Sequence, residues 1–330
     1  AIDSYLGVSI ADYGAAVGQP IIRGMSGPRV KILKNGMVNR DVSGLGVDHL
    51  NDIDLNDVQQ IEIVKGPSSL LYANGTIGGI INVVDNAIAT MDIEEPLINV
   101  GLESQSVNSG DTHNINAKSN INGLNLTFGY KNSEFGNYDV PNGAVIHEEE
   151  EEDEEEEENL GYINNSDLQV ESSKFGLSKT GDWGYLGFSV DNIESVYGIP
   201  FHGEEHEPEG EGEAEPHGEE RIFSTTDSES FSIKGSYNIN GSLINSITYN
   251  FRDSDYSLTE GHEEEHDEDE PHDPDEEEHE PTVFMNDAIE YGAIFDLSTE
   301  NMTQKISLNF VDEDSLIVGE EAFMNPANNE

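Results

Sequence analysis

The chain has 330 residues and a formal net charge of −55, from 69 acidic residues against 14 basic ones. That balance argues against a nucleic-acid partner, which needs Lys and Arg for its phosphates, and favours cations or cationic partners. Cysteine is absent, so disulfides and thiolate metal sites are excluded.

No stretch approaches the roughly 20 apolar residues of a spanning helix. The opening AIDSYLGVSIADYG lacks the basic start and apolar core of a signal peptide. The chain is therefore expected to be cytosolic, processed or a piece of a longer reading frame. A membrane role stays open, because a β-barrel needs no apolar run.

Residues 1–90 read as a small mixed α/β domain of Gly-punctuated short apolar runs. Val30, Ile32 and Leu33 lead into Asn35-Gly36, and Met37 and Val38 lead out. Asn-Gly between apolar runs predicts a hairpin. In NDVQQIEIVK, Ile61 and Ile63 flank Glu62 as in a half-buried strand. Gly66-Pro67 opens a short helical stretch, since Pro suits the first helical position. Gly75 to Asp85 is a Gly turn running into a buried strand.

Residues 91–330 change to period-2 alternation. Leu124, Leu126, Phe128 and Tyr130 share one face, as do Leu186, Phe188 and Val190, and later Ile306, Leu308 and Phe310. Nine strands are predicted, near 97–107, 112–121, 124–133, 168–180, 184–196, 227–239, 242–256, 283–298 and 302–311. Tight turns at Asn122-Gly123, Thr180 to Trp183 and Asn240-Gly241 alternate with long connections at 134–167, 197–226 and 257–282. Short turns on one rim and long loops on the other belong to an antiparallel up-and-down transmembrane barrel, and a soluble sandwich has no reason to obey that parity. Trp183, Tyr185 and Tyr197 are expected in the interfacial aromatic girdles, and His113 is expected to be structural or to face the lumen.

Eight of the ten histidines lie in or beside three acidic runs within the long connections: His147; His202, His206 and His217; and His262, His266, His272 and His279. Carboxylate with imidazole and no thiol suits borderline divalent cations, zinc above all. The ordinary reading of such a run is a solvated, disordered segment. The recurrence of histidine favours many weak sites that raise the local cation concentration. His262 to His266 reads HEEEH, the spacing of a zincin, but in a Gly-, Pro- and acid-rich run rather than on a helix. No catalytic constellation emerges, and the chain is not expected to be an enzyme.

Gln19 to Gly36, QPIIRGMSGPRVKILKNG, and Ile61 to Val84, IEIVKGPSSLLYANGTIGGIINVV, resemble the plug domain of TonB-dependent outer-membrane receptors. The long Gly-rich motif is matched at Ile61, Glu62, Gly66, Pro67, Ser69, Leu71, Tyr72, Gly78, Gly79 and Asn82. It departs at Lys65, where Arg is usual, and at Ala73, where Gly is common. The run QPIIRGMSGPRVKIL, the pair Asp48-His49 ending DVSGLGVDH, and the His- and acid-rich loops followed by GEEAFMNP are most similar to the zinc-uptake branch.

The resemblance implies a plug over residues 1–90, N-terminally incomplete, followed by the first part of a barrel over 91–330. Plugged transporters of this kind have 22 strands. It implies a bacterial outer-membrane location, contact with outer-membrane lipid, and the TonB-ExbB-ExbD complex as energy-coupling partner. It implies zinc as the transported ligand, and no prosthetic group. Asp48 and His49 at the plug apex match the family's metal pair, and Glu321 is a candidate wall ligand. Arg23 and Arg29 are expected to hold the plug against the barrel. Protonated imidazole does not ligate metal, so capture is expected to weaken below about pH 6. Copper, nickel or a metal chelate is the alternative cargo. A calcium-binding surface or adhesion protein is the alternative of another class.

Overall fold

A computed structural model describes residues 5–319 apart from 13–15, 45–48, 74–75, 143, 145–160, 201–220, 240, 242 and 264–280. Its first part holds two small sheets. Val8–Asp12 (β1) pairs antiparallel with Gly18–Ile22 (β2). Val30–Lys34 (β3), Met37–Val38 (β4), Val58–Val64 (β5) and Gly79–Asp85 (β6) form a four-stranded sheet of order β4-β3-β6-β5.

The β3–β4 hairpin turns at Asn35 and Gly36, both with positive φ (54° and 86°), the twist that Asn-Gly supplies. β6 is the buried centre, parallel to β3 and antiparallel to β5. It begins at Gly79, where φ is 139° and an added Cβ would lie 2.7 Å from the Val64 carbonyl oxygen. Only glycine fits there. Pro67–Leu71 is a short 3-10 turn, as the Gly-Pro start predicts.

The second part is one antiparallel sheet with a small ribbon at its rim. Its first strands are Leu97–Gln105 (β7), Gly110–Ile121 (β8) and Leu124–Phe135 (β9). The ribbon Tyr138–Asp139 (β10) with Tyr162–Ile163 (β11) follows. Then come Leu168–Gly181 (β12), Gly184–Gly198 (β13), Arg221–Asn238 (β14), Ser246–Glu263 (β15), Thr282–Asp296 (β16) and Lys305–Val318 (β17). Apart from the ribbon, nine strands pair with their neighbours in chain order, each antiparallel. β7 and β17 are the free edges, so among the described residues the sheet does not close.

The two faces follow the alternation. Phe128, Phe175, Val190 and Phe231 stand opposite one another on four successive strands, and all four are exposed. The other face is polar, and the plug covers it. It carries the buried Asn125, Thr127, Lys174, Asp191, Arg252 and Glu290. Apolar out and polar in is the pattern of a membrane barrel wall.

Several strands run past their predicted ends. β14 starts at Arg221, six residues before the expected 227, and β15 continues to Glu263 instead of stopping at 256. The reason lies on the outer face. Above the Phe128–Phe231 row, the paired positions become Ser173, Asn192, Glu229, Asp255, Asp287 and Asp314. The apolar alternation stops there while the hydrogen-bond ladder continues. The ribbon β10–β11 was not predicted, being two residues per strand inside a polar stretch.

Two side chains face the opposite way from expectation. Tyr197 is fully buried on the plug side and does not join a girdle. His113 is exposed and shares the outer face with Ile115, because its inner-facing neighbours Thr112 and Asn116 bond inward to Ser133 and Asn56.

Candidate metal-capture site and the plug–wall junction

The segment that carries Asp48-His49 is bound at its base. Asp41 accepts hydrogen bonds from the Asn39 amide (2.7 Å), the Ser43 hydroxyl (2.5 Å) and backbone N–H (3.2 Å), and the Asp52 backbone N–H (2.9 Å). One carboxylate thereby closes residues 41–52 into a loop. The Gln19 amide, buried, donates to the Ser43 carbonyl (2.9 Å) and the His49 carbonyl (3.3 Å). The Leu50 N–H donates to the Tyr197 hydroxyl (3.3 Å), which ties the loop to the wall. Tyr197 sits one residue before the end of β13, where the chain enters 201–220. The loop therefore stands at the rim from which the long connections leave.

His49 is half-buried, and among the described residues its Nδ1 is buried without a hydrogen-bond partner. Asp48 and Glu321 lie outside the described residues, as do His147, His202, His206, His217, His266, His272 and His279. His262 lies in β15, opposite Ile222 on β14, at the same rim. Among the described residues no group of three or more His, Asp or Glu is arranged to hold a metal. The ligand set expected around His49 is thus not brought together within the described residues.

Arg23 and Arg29 are both exposed, Arg23 in a turn with φ 53°. The ion pairs between plug and wall among the described residues come from other cations. Lys34 on β3 meets Asp191 on β13 at 2.9 Å. Burial works against the Lys34 charge, but Asp191 and Asp85 hold its pKa above the ordinary lysine value. Arg40 meets Glu290 at 2.7 Å and Glu313 at 2.5 Å. Arg252 meets the same Glu290 at 2.5 Å and donates to the Val38 carbonyl. Lys174 reaches the Asp54 carboxylate at 3.5 Å and donates to the Asn56 carbonyl.

The sequence carries a signal for these cations. Lys174 precedes the outward Phe175 and Arg252 follows the outward Phe251, so alternation alone turns both inward.

At the opposite rim, beside the tight turns, the plug leaves along the wall in residues 87–93. Thr127 donates to the Ala87 carbonyl (2.5 Å) and Ser178 to the Ala89 carbonyl (2.6 Å). The Asn125 side chain donates to the Met91 carbonyl (3.3 Å) and accepts from the Ile93 N–H (2.9 Å). Gly176 lets the backbones approach, since a Cβ there would collide with the Ala87 carbonyl.

Residues 1–80 match the family description "TonB-dependent Receptor Plug Domain". These 80 residues therefore carry a plug domain of the TonB-dependent receptor type. The vitamin B12 transporter BtuB of Vibrio vulnificus (strain CMCP6) is 26% identical over 114 residues, 34% of this chain and 18% of that relative. Among solved structures, the copper transporter OprC superposes with a TM-score of 0.70 at 14% identity, over 98% of this chain and 45% of its own. The FrpB iron transporter from Neisseria meningitidis (F3-3 variant) gives 0.66 at 9% identity, over 97% of this chain and 46% of its own. The chain thus spans under half the length of these relatives, and what it shares with the solved structures is the plugged-barrel fold. TonB-dependent receptors of this kind are outer-membrane proteins of Gram-negative bacteria, and these relatives are transporters rather than enzymes.

Proposed function

We propose that this receptor takes part in TonB-dependent import of a divalent metal ion, with zinc as the cargo. On this reading residues 1–90 are the plug and 91–330 are wall. The connections 134–167, 197–226 and 257–282 face the outside, and the TonB-ExbB-ExbD complex supplies the force. The observation that carries the metal reading is His49. Its ring nitrogen is buried without a hydrogen-bond partner among the described residues, on the plug loop tied to the rim where His-rich acidic segments leave the wall. An imidazole nitrogen lacking a hydrogen bond keeps a lone pair for a cation.

The acidic connections, with eight histidines, would gather cations in a strongly negative field. Asp48 and His49 would then capture the ion, with Glu321 as wall ligand. Imidazole and carboxylate without thiolate suit zinc better than a soft monovalent metal.

Copper is the second reading. OprC is named a copper transporter, and cupric ion outcompetes zinc at nitrogen and oxygen sites.

The test is metal uptake and growth of a deletion strain carrying Asp48→Ala with His49→Ala, under zinc limitation and separately under copper limitation. Loss confined to zinc limitation supports the proposal. Loss confined to copper limitation transfers the site to copper. Wild-type growth in both removes the apex from metal capture. Replacing the eight loop histidines with Gln separates gathering from capture: uptake should fall at scarce zinc and recover at abundant zinc. Unchanged calcium binding in that variant, with no zinc effect, would favour a calcium-binding protein.

A further inference from the structure

Asp52 lies at the base of the apex loop and faces the wall. It is 3% exposed, and neither carboxylate oxygen makes a hydrogen bond of ordinary geometry among the described residues. It borders a cavity of about 30 Å³ between plug and wall, room for a water molecule and little else. The Tyr256 hydroxyl also borders that cavity and is buried beside the Val42 backbone. A buried carboxylate without donors is costly when charged, whereas a carboxylic acid is itself a donor.

We propose that Asp52 is a proton-operated latch between plug and wall. With its proton it docks the loop base against β14 and β15. Without its proton it loosens that contact.

The surrounding groups favour a proton over a metal cation. On the plug, Asp41 is the near carboxylate, while Lys34 and Arg40 also border the cavity. β13 presents Asp191, which Lys34 already neutralises. β14 presents the Ser228 hydroxyl and, further out, Asp227. β15 presents Arg252 and Tyr256 on its inner face, with Asp255 bordering the cavity from an outer-face position. β16 contributes Glu290, shared by Arg40 and Arg252. Three cationic side chains around so small a space repel a metal ion, and their charges are met by carboxylates other than Asp52.

Burial first, and then the Asp41 carboxylate, push the Asp52 carboxyl up to about 7. Released from the wall into water, it would return to an ordinary carboxyl value near 4. The docked plug therefore holds a proton that the released plug gives up. Docking is strongest below about pH 4, weakens roughly tenfold per pH unit up to about 7, and is level above that. This sign is opposite to that of a salt-bridged carboxylate, which is lost in acid. The proposal concerns the junction and stands or falls independently of the cargo.

The test is hydrogen exchange of residues 39–56 in the full receptor in detergent, corrected for the intrinsic pH dependence of exchange. Protection should fall roughly tenfold per unit between about pH 5 and 7 and then stay level, and Asp52→Asn should show little slope. An equal slope in the variant, or none in the wild type, overturns the latch. Should the variant not fold, difference infrared spectra of the wild type decide: a carboxylic-acid carbonyl band lost between about pH 6 and 8 supports the latch, and its absence sinks it. Restoration of protection at alkaline pH by added potassium or calcium would mark a cation site and also overturn it.

Discussion

The plug is held to the wall in two different ways at two levels. Beside the tight turns, residues 87–93 are fixed by neutral side-chain bonds to backbone from Asn125, Thr127 and Ser178, with backbone contact allowed by Gly176. Nearer the long-connection rim, the hold is ionic and buried: Lys34 with Asp191, and Arg40 and Arg252 on Glu290. Neutral bonds of this kind are individually modest, insensitive to pH, and additive along a strand-like run. A buried ionic network contributes little over an apolar contact while intact, but fails sharply when one member is lost. The difference predicts that the loop-side network yields to a single substitution more sharply than the turn-side segment does.

The largest break expected is Glu290→Gln. It leaves Arg252 without its carboxylate and Arg40 with Glu313 alone, and should weaken docking by about 3–5 kcal/mol, as for other broken buried pairs. Exchange at residues 38–43 should rise while residues 87–93 stay protected. A rise at both levels would show one cooperative unit instead of two.

Gly176→Val comes next. Its side chain displaces the Ala87 carbonyl, at a cost of about 1–3 kcal/mol for overpacking. The exchange pattern should then reverse, with 87–93 exposed and the ionic level intact. Smallest are Thr127→Val and Ser178→Ala, each leaving one backbone carbonyl without its donor for about 1 kcal/mol. Their double variant, followed by urea release of the plug, should be close to the sum, since the two bonds share no atom. Strong non-additivity would mean that the anchor acts as a network.

The outer face was legible from sequence because lipid imposes a uniform demand. Phe128, Phe175, Val190 and Phe231 are apolar for the same reason on four strands, so period-2 alternation reported both strand identity and side. It failed where that demand stops: the polar outer row through Glu229 and Asp255 hid the last turns of ladder in β14 and β15. The plug motif and the Asn35-Gly36 hairpin were equally readable, since local backbone geometry selects those residues.

The junction was not legible. Arg23 and Arg29 stand in the plug's most motif-like run, yet both are exposed, whereas Lys34 and Arg40 carry the pairs. Likewise Asp48 and His49 could be singled out through the family resemblance, but nothing in DVSGLGVDH indicates that Asp41 and the Asp52 backbone close the loop around them. By itself, the sequence determined the strand order, the lipid-facing side, the plug and the rim bearing the acidic histidine-rich runs, because each depends on a local period or motif. Only the tertiary structure decided which cations meet which carboxylates and left Asp52 buried without a cation of its own. Those outcomes depend on where a folded plug seats within a curved wall, and residues up to 273 positions apart in the chain have no local pattern to announce their meeting.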